Sequence, residues 1–332
     1  MKLQNPKRTS RLWTGRSSRR RFLAAMAAAG GAMTSGAFAQ EATPNMEASM
    51  PEPLVLRTGL TLGESPRWHE NRLWFSDIGA QEVDAVDLAG KHEVIARVPT
   101  IPSGLGFLPD GCLVIVSVRD GRLLRREPNG SLATHADLSG LSDQPWSDLV
   151  VEGRGNAYVG NMGFDFPAGA AFAPGIIALV TSDGASRQVA DGLAFANGLV
   201  VTADNSTLIV AESYANRLTA FDIGSDGGLS NRRAWADLGE GVPDGICLDA
   251  EGAIWYGDPG ANRCVRVREG GEVLQTIELD RGCFACVLGG TDRQTLFLMA
   301  NELPDLANPG GDAARTGQIL TVAVPVPGAG WP

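Results

Sequence analysis

Three side chains in this sequence are oxygen donors placed at matching points of a recurring pattern. Glu64 opens "ESPRWHENR", Asn197 opens "NGLVVTADN" and Asp244 opens "DGICLDAEG". Ser103 ("SGLGFLPDG") and Ser147 ("SDLVVEGRG") hold the same position in two further copies, and Ala285 ("ACVLGGTDR") in another. If the fold brings these positions to one axis, two carboxylates, an amide and two hydroxyls meet there. Two carboxylates in a narrow channel repel and desolvate each other, and a bound cation resolves the conflict. Every donor is oxygen, with no His or Cys among them, so a hard divalent ion fits. Ca²⁺ comes first, with Mg²⁺ or Mn²⁺ next and Zn²⁺ less natural. The competing reading is turn chemistry, because Asn and Asp before Gly favour turns. Glu64 argues against it, being a poor turn residue at the same position.

The elements that must position these groups are legible in the residues after each copy. A second apolar run comes next: "RLWFSDI", "CLVIVSV", "NAYVGNM", "TLIVAES", "AIWYGDP" and "TLFLMAN". In the middle four copies it starts ten residues past the polar position, at Leu113, Ala157, Thr207 and Ile254. Third strands such as "NRLTAFDI" and "NRCVRVRE" and fourth strands such as "HEVIARV" complete each unit. Six units of roughly 40–50 residues, each of four short strands, predict an all-β fold: a six-bladed β-propeller with four-stranded blades. A β-sandwich does not explain one motif recurring six times. The segment "PLVLRTGL" (53–60) precedes the first unit and is expected to close the ring as the outer strand of the last blade. The first strand of each blade lines the central channel, so the recurring polar position is a ring position.

The 332 residues are 44% hydrophobic, with 42 glycines and 19 prolines spread between apolar runs, which suits one large domain rich in turns. Residues 1–39 read as a separate object. "SRRRFL" (18–23) has the setting of a twin-arginine export signal, and an Ala/Gly/Met-rich run ends in "AFA", with cleavage expected after Ala39. A linker (40–52) and a propeller domain (53–332) follow. The destination is the periplasm or the exterior, with no membrane attachment after cleavage. The first 39 residues carry eight basic side chains and no acidic one, which leaves the mature chain with 20 basic and 38 acidic residues, a net of −18. Such a surface excludes nucleic acid as a partner. The five cysteines read as small buried residues, a Cys283–Cys286 bridge being the minor alternative.

"LGESPRWHENRLWFSDI", "ANGLVVTADNSTLIVAES" and "PDGICLDAEGAIWYGD", with "GLGFLPDG" and "ACVLGG", resemble the gluconolactonase/regucalcin (senescence marker protein) family over about residues 54–300. The resemblance implies a six-bladed propeller that holds one catalytic divalent cation in its channel and hydrolyses sugar lactones and related esters. It implies Glu64, Asn197 and Asp244 as metal ligands. The family's Arg-x-Asn-Asp motif before the third blade reads "PWSD" here, with Pro145 in place of the arginine, Ser147 in place of the asparagine, and Asp148 retained. Ser103, Ser147 and Asp148 are therefore additional candidates for metal or substrate.

The expected mechanism has the cation polarise a lactone carbonyl and activate a water whose proton Asp244 accepts. The partner is then a small lactone or ester. A phosphotriester hydrolase on the same scaffold, like diisopropyl fluorophosphatase, is one alternative. A non-catalytic ligand-binding propeller with a structural cation is the other. The three histidines, His69, His92 and His135, lie outside the ring, which counts against a Ser-His-Asp hydrolase. Phe164, Phe166 and Phe172 are candidates for a lid, and Trp146 either flanks substrate or wedges between blades. Glu212 and Asp258 read as solvated turn residues, with a supporting role at the site as the alternative.

Overall fold

The computed structural model describes residues 51–166, 168–303 and 315–331. The expected export signal and nearly all of the linker lie outside the described residues. Twenty-four strands among the described residues form six separate four-stranded antiparallel sheets. Blade 1 is β2 (Gly63–His69), β3 (Arg72–Asp77), β4 (Glu82–Val86) and β5 (His92–Arg97). Blade 2 is β6 (Pro102–Phe107), β7 (Leu113–Ser117), β8 (Arg122–Arg126) and β9 (Leu132–Asp137). Blade 3 is β10 (Trp146–Val151), β11 (Ala157–Asn161), β12 (Gly175–Val180) and β13 (Ser186–Leu193). Blade 4 is β14 (Ala196–Val201), β15 (Thr207–Glu212), β16 (Arg217–Ile223) and β17 (Leu229–Asp237). Blade 5 is β18 (Ile246–Leu248), β19 (Ile254–Asp258), β20 (Arg263–Val267) and β21 (Val273–Glu278). Blade 6 is β22 (Gly282–Gly289), β23 (Thr295–Asn301), β24 (Gly317–Ala323) and, as its outer strand, the N-terminal β1 (Leu54–Leu60). This is a six-bladed β-propeller, and its ring closes as the sequence predicts, through the pairing of β1 with β24.

The core is six wedges, one at each interface between neighbouring blades. Leu105, Leu113 and Ile115 of blade 2 pack on Trp74, Val83 and Val98 of blade 1. At the other end, Leu73 and Phe75 of blade 1 pack on Val287, Phe297 and Ile319 of blade 6. Each sheet is thus buried on both faces, which explains why the strands read as unbroken apolar runs rather than strict alternation.

Glycine allows the inner strands to approach. A Cβ on Gly104 would sit 2.5 Å from the Leu149 amide of the next blade, and one on Gly245 would sit 2.4 Å from the Ala285 Cβ. The Gly245 N–H also donates to the Phe284 carbonyl across the blade boundary at 2.8 Å. The small residue after the polar position is therefore an inter-blade contact and not a turn signal. The C-terminal segment ties the far ends of two inner strands and the turn after a third: Ala329 N–H donates to Leu248 O, Trp331 pairs with Val201, and Gly328 N–H donates to Arg293 O between β22 and β23, each at 2.9 Å.

Candidate active site

The ring residues are aimed by a recurring irregularity. Pairing of the first two strands shifts register between Glu64 and Arg67, between Pro102 and Leu105, between Trp146 and Leu149, and between Ala196 and Leu199. A bulge bends its strand and re-aims the side chain it carries. Blade 5 reaches the same result differently: β18 begins only at Ile246, and Asp244 is held outside the ladder by its N–H donating to Gly257 O at 3.0 Å. Glu64, Ser103, Ser147, Asp148, Asn197 and Asp244 consequently line one cavity of about 560 Å³ at the channel mouth. Blade 6 departs from the expected register. Ala285 is buried in the wedge with blade 1, and Phe284 lines the cavity in its place.

The cavity floor is electrostatically loaded. Burial pushes the Asp244 carboxyl up to about 8, and the negative charges of Asp148 and Asp258 add to the shift, while a hydrogen bond from Asn197 opposes it. Glu64 is raised well above the ordinary carboxylate range, first by burial, then by Asp244 and Asp148. The Asp244 Oδ1 atom is buried and has no hydrogen-bond partner. A buried orphan acceptor is rare in a folded protein and costs free energy unless something binds it. Among the described residues no group of three or more His, Cys, Asp or Glu is arranged to hold a metal. The donor set here is two carboxylates and an amide, which suits a hard cation and leaves other positions to water or substrate.

Asp148 is a different case from Asp244. Its Oδ1 accepts from Ser65 Oγ at 2.8 Å, Arg67 Nη2 at 2.8 Å and its neighbour's Leu149 N–H at 2.7 Å. Arg67 is itself buried and also donates to the Leu105 carbonyl at 2.8 Å, so it clips together blades 1, 2 and 3. Sequence reading passed over Arg67. Its partner lies 81 residues away, and no local pattern announces such a pairing.

The remaining candidates separate clearly. Phe166 lines the cavity, together with Phe195 and Tyr214, which the sequence reading did not single out. Phe164 is buried behind them and Phe172 is exposed, stacked on Tyr214. Trp146 is fully buried in the wedge between blades 2 and 3 and does not line the cavity, so the wedging alternative is the one the fold adopts. Glu212 and Asp258 are not solvated turn residues: both are about 1% exposed or less. They belong to a second ring formed by the last residue of each blade's second strand, namely Asp77, Ser117, Asn161, Glu212, Asp258 and Asn301, all buried. Several anchor the segment that leads into an inner strand. Asp77 accepts the Leu62 N–H at 3.0 Å, Asn161 donates to Pro145 O at 3.1 Å, and Glu212 accepts the Ala194 N–H at 2.7 Å. None of the three histidines lines the cavity. All five cysteines are free thiols, four of them buried in the wedge between blades 5 and 6.

Residues 62–301 match the SMP-30/Gluconolactonase/LRE-like region. The chain belongs to this family. Regucalcin of Xenopus laevis is 29% identical over 71% of the chain and 82% of its own length. A protein of Sulfolobus acidocaldarius is 28% identical over 74% of the chain and 89% of its own length. Among solved structures, a calcium-binding regucalcin from Agrobacterium tumefaciens superposes with a TM-score of 0.72 at 23% identity, covering 85% of this chain and 97% of that one. A gluconolactonase from Xanthomonas campestris gives 0.67 at 23% identity, covering 82% and 89%. The two structural likenesses show the shared fold; the family match adds a lactonase-type hydrolase as the coarse class of this site.

Proposed function

We propose that the chain is a divalent-cation-dependent hydrolase of lactones or related esters, with Glu64, Asn197 and Asp244 holding the cation. The observation that carries this reading is the buried, unpartnered Oδ1 of Asp244 beside a second carboxylate at the cavity floor. When bound, Ca²⁺ would supply positive charge to polarise the ester carbonyl and the attacking water. Asp244 is the group placed to take the proton from that water: without the cation its carboxyl is raised to about 8, and a cation held beside it would favour the ionised form that a base requires. Asn197 orients Asp244 and is itself braced by Ser213, to which its Nδ2 donates at 3.2 Å. Ser213 in turn donates to Pro243 O at 2.7 Å, so the residue before Asp244 is fixed by the same chain of bonds. Arg67 and Ser65 hold Asp148 away from the role of a free base.

Titrating Ca²⁺ into chelator-treated protein, with lactone hydrolysis followed by acid release, tests the reading. Turnover that appears with calcium and vanishes on chelation supports it. Calcium binding without turnover of any lactone, ester or phosphotriester points instead to a binding propeller with a structural cation. We further propose, from the residues at 18–23 and 37–39, that the enzyme works outside the cytoplasm after export; a cytoplasmic mature chain with an intact N-terminus would refute this.

A further inference from the structure

The substrate class can be narrowed from the walls of the same cavity. Two residues before each of the first five ring positions stands an apolar one: Leu62, Ile101, Pro145, Phe195 and Val242 all line the cavity, and Phe284, one residue before Ala285, completes the circuit from blade 6. Polar floor and apolar collar are thus stacked along the channel. Two collar residues hold strained backbones: Ile101 has φ of 72° and Phe195 of 64°. A β-branched or aromatic residue in that region is uncommon and is kept where surrounding structure or function requires it.

One side of the mouth is an aromatic wall. Phe195 and Tyr214 lie 5.7 Å apart between ring centroids, and Phe166 lies 5.6 Å from Phe195. Phe164 backs Tyr214 at 5.3 Å, and Phe172 stacks on it at 5.8 Å with planes 11° apart. The wall is therefore supported from behind and not a loose flap.

Several polar side chains on these walls are already committed to neighbours. Ser65 Oγ donates to Asp148, Ser213 Oγ to Pro243 O, and Gln144 Nε2 to Asp143 at 2.7 Å. Thr61 Oγ1 donates to Asp77 and accepts the Ala80 N–H. The charged lining residues Arg119, Asp143 and Asp165 lie at the solvent side. A polyhydroxylated lactone brings a hydroxyl on most of its carbons, and each needs a new partner once its water is displaced. An apolar ring needs none and gains from stacking.

We infer that the substrate is a lactone or ester whose non-reacting part is a flat aryl or alicyclic group seated on the Phe166–Phe195–Tyr214 wall, and not a polyhydroxylated sugar lactone. The inference rests on the hydrolase reading for its chemistry, while the seat itself depends only on the wall.

The test compares dihydrocoumarin with glucono-δ-lactone in the calcium-loaded protein. It adds calorimetric titration with 3,4-dihydro-2-quinolinone, an amide isostere that is not turned over. The expected result is kcat/KM at least about tenfold higher for dihydrocoumarin, falling about tenfold in a Phe166→Ala/Tyr214→Ala double variant and retained in Tyr214→Phe. Glucono-δ-lactone hydrolysed as well or better overturns the inference and leaves the hydrolase reading standing. No turnover of either lactone, with quinolinone bound by wild type and lost in the double variant, supports the aryl seat and counts against the hydrolase reading. Absence of both turnover and binding overturns both. Dihydrocoumarin turnover indifferent to the double variant also overturns the seat.

Discussion

Asp244 and Glu212 are buried carboxylates on neighbouring blades, and their surroundings push them in opposite directions. Burial raises both. At Asp244 the charges of Asp148 and Asp258 raise the carboxyl further, to about 8, and one oxygen has no partner at all. At Glu212 burial is outweighed by the Ala194 N–H, the Thr219 hydroxyl, Arg217 and Arg232, and the group is held below the ordinary value. The same contrast separates the two rings to which they belong. The outer ring at the ends of the second strands spends its polar atoms on the segments that enter the blades. The inner ring, one bulge away, leaves its polar atoms facing the cavity. An unsatisfied acceptor that also lines a cavity, as in Asp244, marks where something else can bind, and satisfied groups mark what holds that place in position.

The largest expected effect is on activity and falls on the inner ring. Asp244→Asn should lower kcat/KM for any lactone that is turned over by about a thousandfold or more. Its melting temperature without cation should stay the same or rise, because the amide is neutral without having to bind a proton on folding. Loss of activity together with unfolding would place Asp244 among the structural carboxylates and erase the distinction between the rings.

A second test reads the same contrast through pH. An unfolded aspartate ionises near 4, whereas folded Asp244 keeps its proton up to about 8. Between those values the folded chain binds a proton that the unfolded chain has released. The stabilisation is therefore complete at low pH and is lost as pH rises through about 8. Glu64 shifts in the same direction. Cation-free protein should thus be less stable at pH 8 than at pH 5 by on the order of a few kcal/mol. Added Ca²⁺ should restore stability at pH 8 by mass action. Asp84, raised to about 6 by burial, adds to the slope, so the decisive quantity is the difference from Asp244→Asn, in which the slope should flatten. An unchanged slope would mean that Asp244 is not the loaded group.

Glu212→Ala probes the outer ring. It strips partners from Arg217, Arg232 and the Ala194 N–H. The two arginines are about a third exposed, which limits the damage, and a loss of roughly 2–3 kcal/mol in denaturant unfolding is expected. kcat per folded molecule should hold. A selective loss of turnover with full stability would move Glu212 into the active-site machinery.

How far these groups could be read from sequence depends on where their partners lie. The propeller, its closure by residues 54–60 and the convergence of Glu64, Ser103, Ser147, Asn197 and Asp244 were legible because a repeat fixes geometry once the fold is known. The sixth position slipped, since the irregular pairing after Cys283 sends Ala285 into the core and Phe284 into the cavity. Whether a polar atom is satisfied was not legible. Glu212 and Asp258 look like turn residues in a linear text, and Arg67 meets Asp148 only after three blades assemble. The apolar collar was visible in principle, two residues before each of the first five ring positions, but only the spacing of the polar residues drew notice.

The smallest effect sharpens the comparison at the position where the inner ring is weakest. Ser147 lines the cavity with a short hydroxyl, and the neighbouring Asp148 has its Oδ1 taken up by three hydrogen bonds, which leaves only its Oδ2 to stand in for a longer amide. Ser147→Asn would add a carbonyl oxygen on blade 3 and would leave the outer ring untouched. Calcium affinity measured by titration calorimetry should tighten a few-fold, about 0.5–1 kcal/mol, and the melting temperature of the cation-free protein should hardly move. Ser147→Ala should be close to neutral for binding if the hydroxyl lies too far back to ligate. An asparagine that folds normally and leaves calcium affinity unchanged would restrict the cation's protein donors to blades 1, 4 and 5, and the remaining ring positions would then serve the substrate alone.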